Sequence, residues 1–161
     1  MTISLQNAID RLAELEIAAM AAFTTPVTGD AVDHFTHTQN NYPYWTNRPG
    51  RITFPVSEED LDYPVYTVIS RLVIGHVGEG YDGDLENSLQ LWIPQLITYF
   101  NARPTLVTAT QSSGLPNLLH AQVTGATGLA ILQNYGSIGS QVGCEFTHTL
   151  EFVEEIELKL S

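Results

Sequence analysis

Apolar residues in the segment Ser4–Phe23 fall at Leu5, Ala8, Ile9, Leu12, Leu15, Ala19, Met20 and Phe23. That is the 3.6-residue repeat of an amphipathic helix. Ser4 is placed to cap it, and Asp10, Arg11, Glu14 and Glu16 make the predicted wet face. Thr24-Thr25-Pro26 ends the helix, because proline removes a donor and disfavours helix before it. Signals then weaken over residues 24–51, which read as an irregular insertion. Within and just beyond it, Tyr42–Trp45 and Arg51–Phe54 predict two short strands around the turn at Pro49-Gly50. Val65–Val77 is rich in Val, Ile, Thr and Tyr and apolar on both faces, which predicts a central strand.

A second helix is predicted over Leu85–Asn101, with Leu85, Leu89, Trp92, Ile93, Leu96, Ile97 and Phe100 as its apolar stripe and Asp82 or Asp84 as its cap. Pro94 inside it would cost ~3 kcal/mol in a straight helix. The expectation is a kink near Gln90, or two short helices. Leu118–Thr124 and Leu129–Tyr135 read as strands bounded by glycines. The clearest alternation runs over Cys144–Leu160, where seven of nine even positions are apolar and seven of eight odd positions are polar. Seventeen extended residues span ~56 Å, more than the ~40 Å diameter of a domain this size. Either the strand bends within one sheet, or its end pairs with a neighbouring subunit. The second option makes Cys144, Phe146, Leu150, Phe152, Ile156 and Leu158 self-association candidates. The order of elements predicts one α+β domain over residues 1–161, with one mixed, mostly antiparallel sheet flanked by an N-terminal helix and a central helix.

Composition narrows the function classes. The 161 residues carry 18 acidic and 6 basic side chains, a net charge of −12. The basic footprint that grips phosphate is missing, which argues against sequence-reading nucleic-acid binding. One cysteine excludes an internal disulfide. No apolar run reaches the ~20 residues of a membrane span, so a membrane role is not expected.

Candidate chemistry is sparse. Asp30, Asp33, His34 and His37 could ligate a metal, but no third histidine is near. Asp82, Asp84 and Glu86 lack the rest of a calcium loop and read as helix-capping residues. Cys144 and His148 share an apolar face, a poor setting for a thiolate. The glycines at 75, 78, 80 and 83 have the wrong spacing for a phosphate loop. No catalytic residue, metal or cofactor is therefore assigned. Tyr44, Trp45, Arg48 and Arg51 form an aromatic and basic cluster, which reads as a core hairpin with solvent-facing arginines ahead of the partner interface in which such residues are enriched.

Tyr63-Pro-Val-Tyr66 before the long strand, Trp92-Ile-Pro-Gln-Leu96 in the second helix and Ala126-Thr-Gly128 before the last strands, taken in this order of elements, resemble the tail terminator (head-to-tail joining) proteins of long-tailed bacteriophages. The resemblance implies a virion protein of the tail or neck, assembled in the host cytoplasm. It implies a homo-oligomer, a hexameric ring, that docks a tail tube protein to a head connector protein while DNA passes without specific binding. Six copies at −12 would carry −72, a charge along which DNA slides instead of sticking. Glu145, Glu151, Glu155 and Glu157 are candidates for the lumen lining. An acidic adaptor or DNA-mimicking protein, or a small metal-dependent enzyme using His34 and His37, are the alternative readings.

Overall fold

The computed structural model describes residues 5–21, 28–30, 43–53, 64–76, 83–134 and 140–153. Its elements in chain order are α1 (Leu5–Met20), β1 (Thr28–Asp30), β2 (Tyr44–Thr53), β3 (Val65–His76), α2 (Gly83–Asn101), β4 (Leu118–Ala126), β5 (Ala130–Asn134) and β6 (Ser140–Phe152). The strands form one sheet in the order β1-β2-β3-β6-β4, with β5 also paired to β6. β1 lies parallel to β2 and every other pairing is antiparallel. This is the α+β fold expected, a mixed and mostly antiparallel sheet with both predicted helices against it.

Alternation decides which way each strand faces. On β6, Cys144, Phe146, His148, Leu150 and Phe152 are buried, and the register sets them beside Leu72, Ser70, Val68 and Tyr66 of β3. Trp45 and Asn47 of β2 continue the same face. The helices dock there. α1 contributes Ala8, Ile9, Leu12, Leu15, Ala19 and Met20, and α2 contributes Leu89, Trp92, Leu96 and Phe100. Phe100 stands edge-on to Trp45 at 6.2 Å and to His148 at 4.9 Å, joining helix to sheet through ring contacts.

Several expectations change. The stretch around residues 44–53 is not a hairpin. It is a single strand, bulged between Pro49 and Ile52, because β3 pairs with both of its halves. The Arg51 amide donates to Thr67 Oγ1 at 2.6 Å across the bulge. Pro94 does not divide α2, which runs through as one helix. Burial of Leu89 and Trp92 before the proline and Leu96 and Phe100 after it holds both halves on the same sheet face. Arg11 and Glu16 are not on a wet face but buried, since α1 is covered by the sheet and by the loop after α2.

The largest correction concerns the C-terminal strand. It begins at Ser140, not at Cys144, and its described part ends at Phe152. Residues 154–161, with Glu155, Ile156, Glu157 and Leu158, lie outside the described residues. The strand is interior to the sheet. β3 covers one side, and β4 and β5 follow one another along the other. Thirteen residues span only ~43 Å, and bulges in the pairing opposite Val73/Gly75 and Val123/Gly125 bend the ladder further. Over the described range, the strand is accommodated by a bent sheet of one subunit.

Candidate functional site

Among the self-association candidates, Cys144, Phe146 and Leu150 are 0% exposed and Phe152 is 1% exposed. They are core residues of their own subunit and present nothing to a neighbour. Burial, with Glu145's charge second, pushes the Cys144 thiol well above its ordinary value, so it is no nucleophile. Tyr44 and Trp45 are likewise buried, so they cannot form an exposed aromatic patch. The Trp45 ring packs on Phe146 at 5.8 Å, and the Tyr44 hydroxyl accepts from Gln141 Nε2 at 2.6 Å. Of that cluster, Arg48 is half-buried and Arg51 exposed. His34, His37 and the acidic stretch 58–62 lie outside the described residues. Among the described residues no cluster of three metal-ligating side chains occurs.

No described helix packs on the far face of the sheet, which is open only in part, since Tyr44, Thr46, Arg71, Val73 and Gln141 on that face are buried. The register assembles the open part from Val65, Thr67 and Ile69 of β3, Thr147, Thr149 and Glu151 of β6, and Gln122 and Thr124 of β4. These residues are half-buried or exposed. Thr124 and Thr149 share a hydroxyl hydrogen bond of 2.7 Å across the β4–β6 pair. Glu145, offered as an acidic lining, is half-buried here and bonded by Arg71 Nε at 2.8 Å, so most of its charge is answered within the subunit. Glu151 is exposed on the same face.

The sheet edge completes the surface. β4 and β5 form one interrupted edge beside β6, joined where the Thr127 amide donates to the Glu145 carbonyl and Thr127 Oγ1 accepts from the Glu145 amide at 3.0 Å. Among the described residues no strand pairs with its outer side. Leu119 and Ile131 on this edge are 58% and 64% exposed. Alternation could not reveal this edge, because β4 and β5 are short and bulged and their position depends on which strand they join.

A second feature that sequence reasoning missed is polar and internal. Glu16 Oε2 accepts from Asn47 Nδ2 at 2.8 Å, and the Asn47 side-chain oxygen accepts from Ser70 Oγ. All three residues are fully buried between α1, β2 and β3. The signal available beforehand was Glu16 itself, adjacent to Leu15 and near the apolar stripe of α1.

No family model matches the chain, and no curated protein does. A solved structure is similar at 15% identity over 94% of this chain and 100% of that one. Its TM-score of 0.32 carries no argument about fold or function.

Proposed function

We propose that the chain is a structural subunit of the tail terminator kind, assembling as a ring that caps a phage tail tube, meets a head connector protein and lets DNA pass without specific binding. The observation that supports this most is the sheet. Both helices pack on one face, leaving a threonine-rich stretch of the other face and an apolar-tipped edge, β4–β5, for a second subunit. Association through that edge replaces association through residues 144–152, which are occupied internally. An edge on one copy meeting a different surface of the next is a heterologous contact, and such contacts close into rings when the rotation allows. The net charge of −12 suits a passage for DNA, since phosphate gains nothing from such a wall.

Light scattering and negative-stain microscopy at high protein concentration, with and without tail tubes, test this reading. Closed rings, or particles seated on tube ends, are expected. A strict monomer that ignores tubes would overturn it. Exposed Glu151 and the net charge also favour a second reading, an acidic adaptor that occupies a basic nucleic-acid-binding partner. That reading predicts a monomer whose binding to such a partner falls steeply with salt.

A further inference from the structure

Glu16 is 0% exposed and sits where α1 meets the sheet. One carboxyl oxygen takes the Asn47 amide; the other, Oε1, has no hydrogen-bond partner. Among the described residues no cation answers it. On α1, Arg11 is committed to the carbonyls of Leu106 and Ser113, Glu14 binds Thr110, and Asp10 takes the Gln6 amide. β2 and β3 face it with Asn47 and Ser70, while Arg48 and Arg71 occupy register positions of the opposite face. Asp30 of β1 pairs in register with Thr46. From α2 the buried residues are Leu89, Trp92, Leu96 and Phe100, and the titratable groups that β6 buries on this face are Cys144 and His148. Arg71 pairs with Glu145 on the far face. A bare carboxylate in such a place would be costly, whereas a carboxylic acid is tolerated.

We propose that Glu16 docks α1 onto the sheet as a neutral carboxylic acid and acts as a proton-dependent latch, so that the hold on α1 weakens as the surroundings turn alkaline.

The direction and range of the effect follow from the groups involved. Burial pushes Glu16 up to about 8 from its ordinary 4.5, against the hydrogen bonds of Asn47 and Ser70. A raised group contributes stability that is complete below the unfolded value and is lost as pH rises through the folded one. The Glu16 contribution is therefore full below about 4.5, declines up to about 8, and falls no further above that. Buried His148 works in the opposite sense. Burial lowers it to about 4 from 6.5, so its contribution is present above 6.5 and is lost as pH falls through about 4. The two slopes oppose one another between about 4.5 and 6.5. Of these two groups only Glu16 contributes to the decline from about 6.5 to 8, at about tenfold in the folding constant per pH unit.

The test is urea unfolding of the intact chain and of Glu16→Gln across this range. Glutamine imitates the protonated acid and cannot ionise. It leaves His148 in place, so the ratio of wild-type to variant folding constants isolates Glu16. That ratio should fall about tenfold per unit between about pH 5 and 8 and level off above. A ratio independent of pH would overturn the latch. Infrared spectroscopy of the folded wild type needs no variant. A carboxylic-acid carbonyl band should persist at about pH 7 and fade by about pH 9, as linkage requires of a group titrating near 8. Its absence at neutral pH would equally overturn the proposal.

Discussion

Arg11 offers a sharp test of how the loop after α2 is held. Its guanidinium is 6% exposed and reaches across about a hundred residues of sequence, Nη1 donating to the Leu106 carbonyl at 3.1 Å and the Ser113 carbonyl at 2.6 Å. Leu106 lies in the left-handed region with φ of 55° and its side chain is buried, a conformation that only surrounding contacts maintain. Arg11→Met keeps the apolar stem and removes the donors. Two bonds from a charged donor suggest roughly 3–6 kcal/mol, at about 1.5–3 each. Two effects reduce that sum. Ser113 is exposed, so its carbonyl regains water, and the guanidinium no longer suffers desolvation. A loss of about 2–4 kcal/mol remains, mostly from the buried Leu106 carbonyl. In a chain of this length that lowers Tm by roughly 5–15 °C. Chemical denaturation measures the free energy, and limited proteolysis between residues 103 and 117 reports on the loop. A variant within about 0.5 kcal/mol of wild type, the range of a neutral surface change, with an uncut loop, would refute the clamp.

Three further outcomes follow from the packing. Phe146→Ala removes a ring held between Trp45 and Phe100 and should cost about 3–5 kcal/mol in urea unfolding; wild-type stability with altered oligomer size would instead restore this residue to an interface. Gly143→Ala should prevent stable folding by circular dichroism, because a Cβ there would overlap the Leu72 carbonyl oxygen of the neighbouring strand. Pro94→Ala should raise stability by about 1–2 kcal/mol, since the helix interior gains more than the unfolded chain loses in rigidity; an unchanged or lower Tm would show that the proline is required by its surroundings.

The two helices, the central position of β3 and the burial of the even positions of β6 were legible because each rests on a local period. The 3.6-residue stripe of α1 and the alternation from Cys144 to Phe152 record a one-sided environment that any fold must satisfy. The partnership of those faces was not recorded. An apolar alternating face reads the same whether its cover is a helix of the same chain or a second subunit, so Phe146 and Leu150 could be assigned to association until α1 and α2 were seen to lie on them. Glu16 shows the same gap in polar form. Its place on the helix is set by spacing, but its burial depends on Asn47 and Ser70, which lie 31 and 54 residues further along the chain.

The order of residues thus settled which segments coil, which extend and which side of each avoids water, because those are properties of neighbours along the chain. Tertiary structure alone decided that β6 runs inside the sheet, that β4 and β5 form the open edge, and that a carboxyl is enclosed beneath α1. Those outcomes depend on strand order and helix docking, which are contacts between segments far apart in sequence, and such contacts leave no period to read.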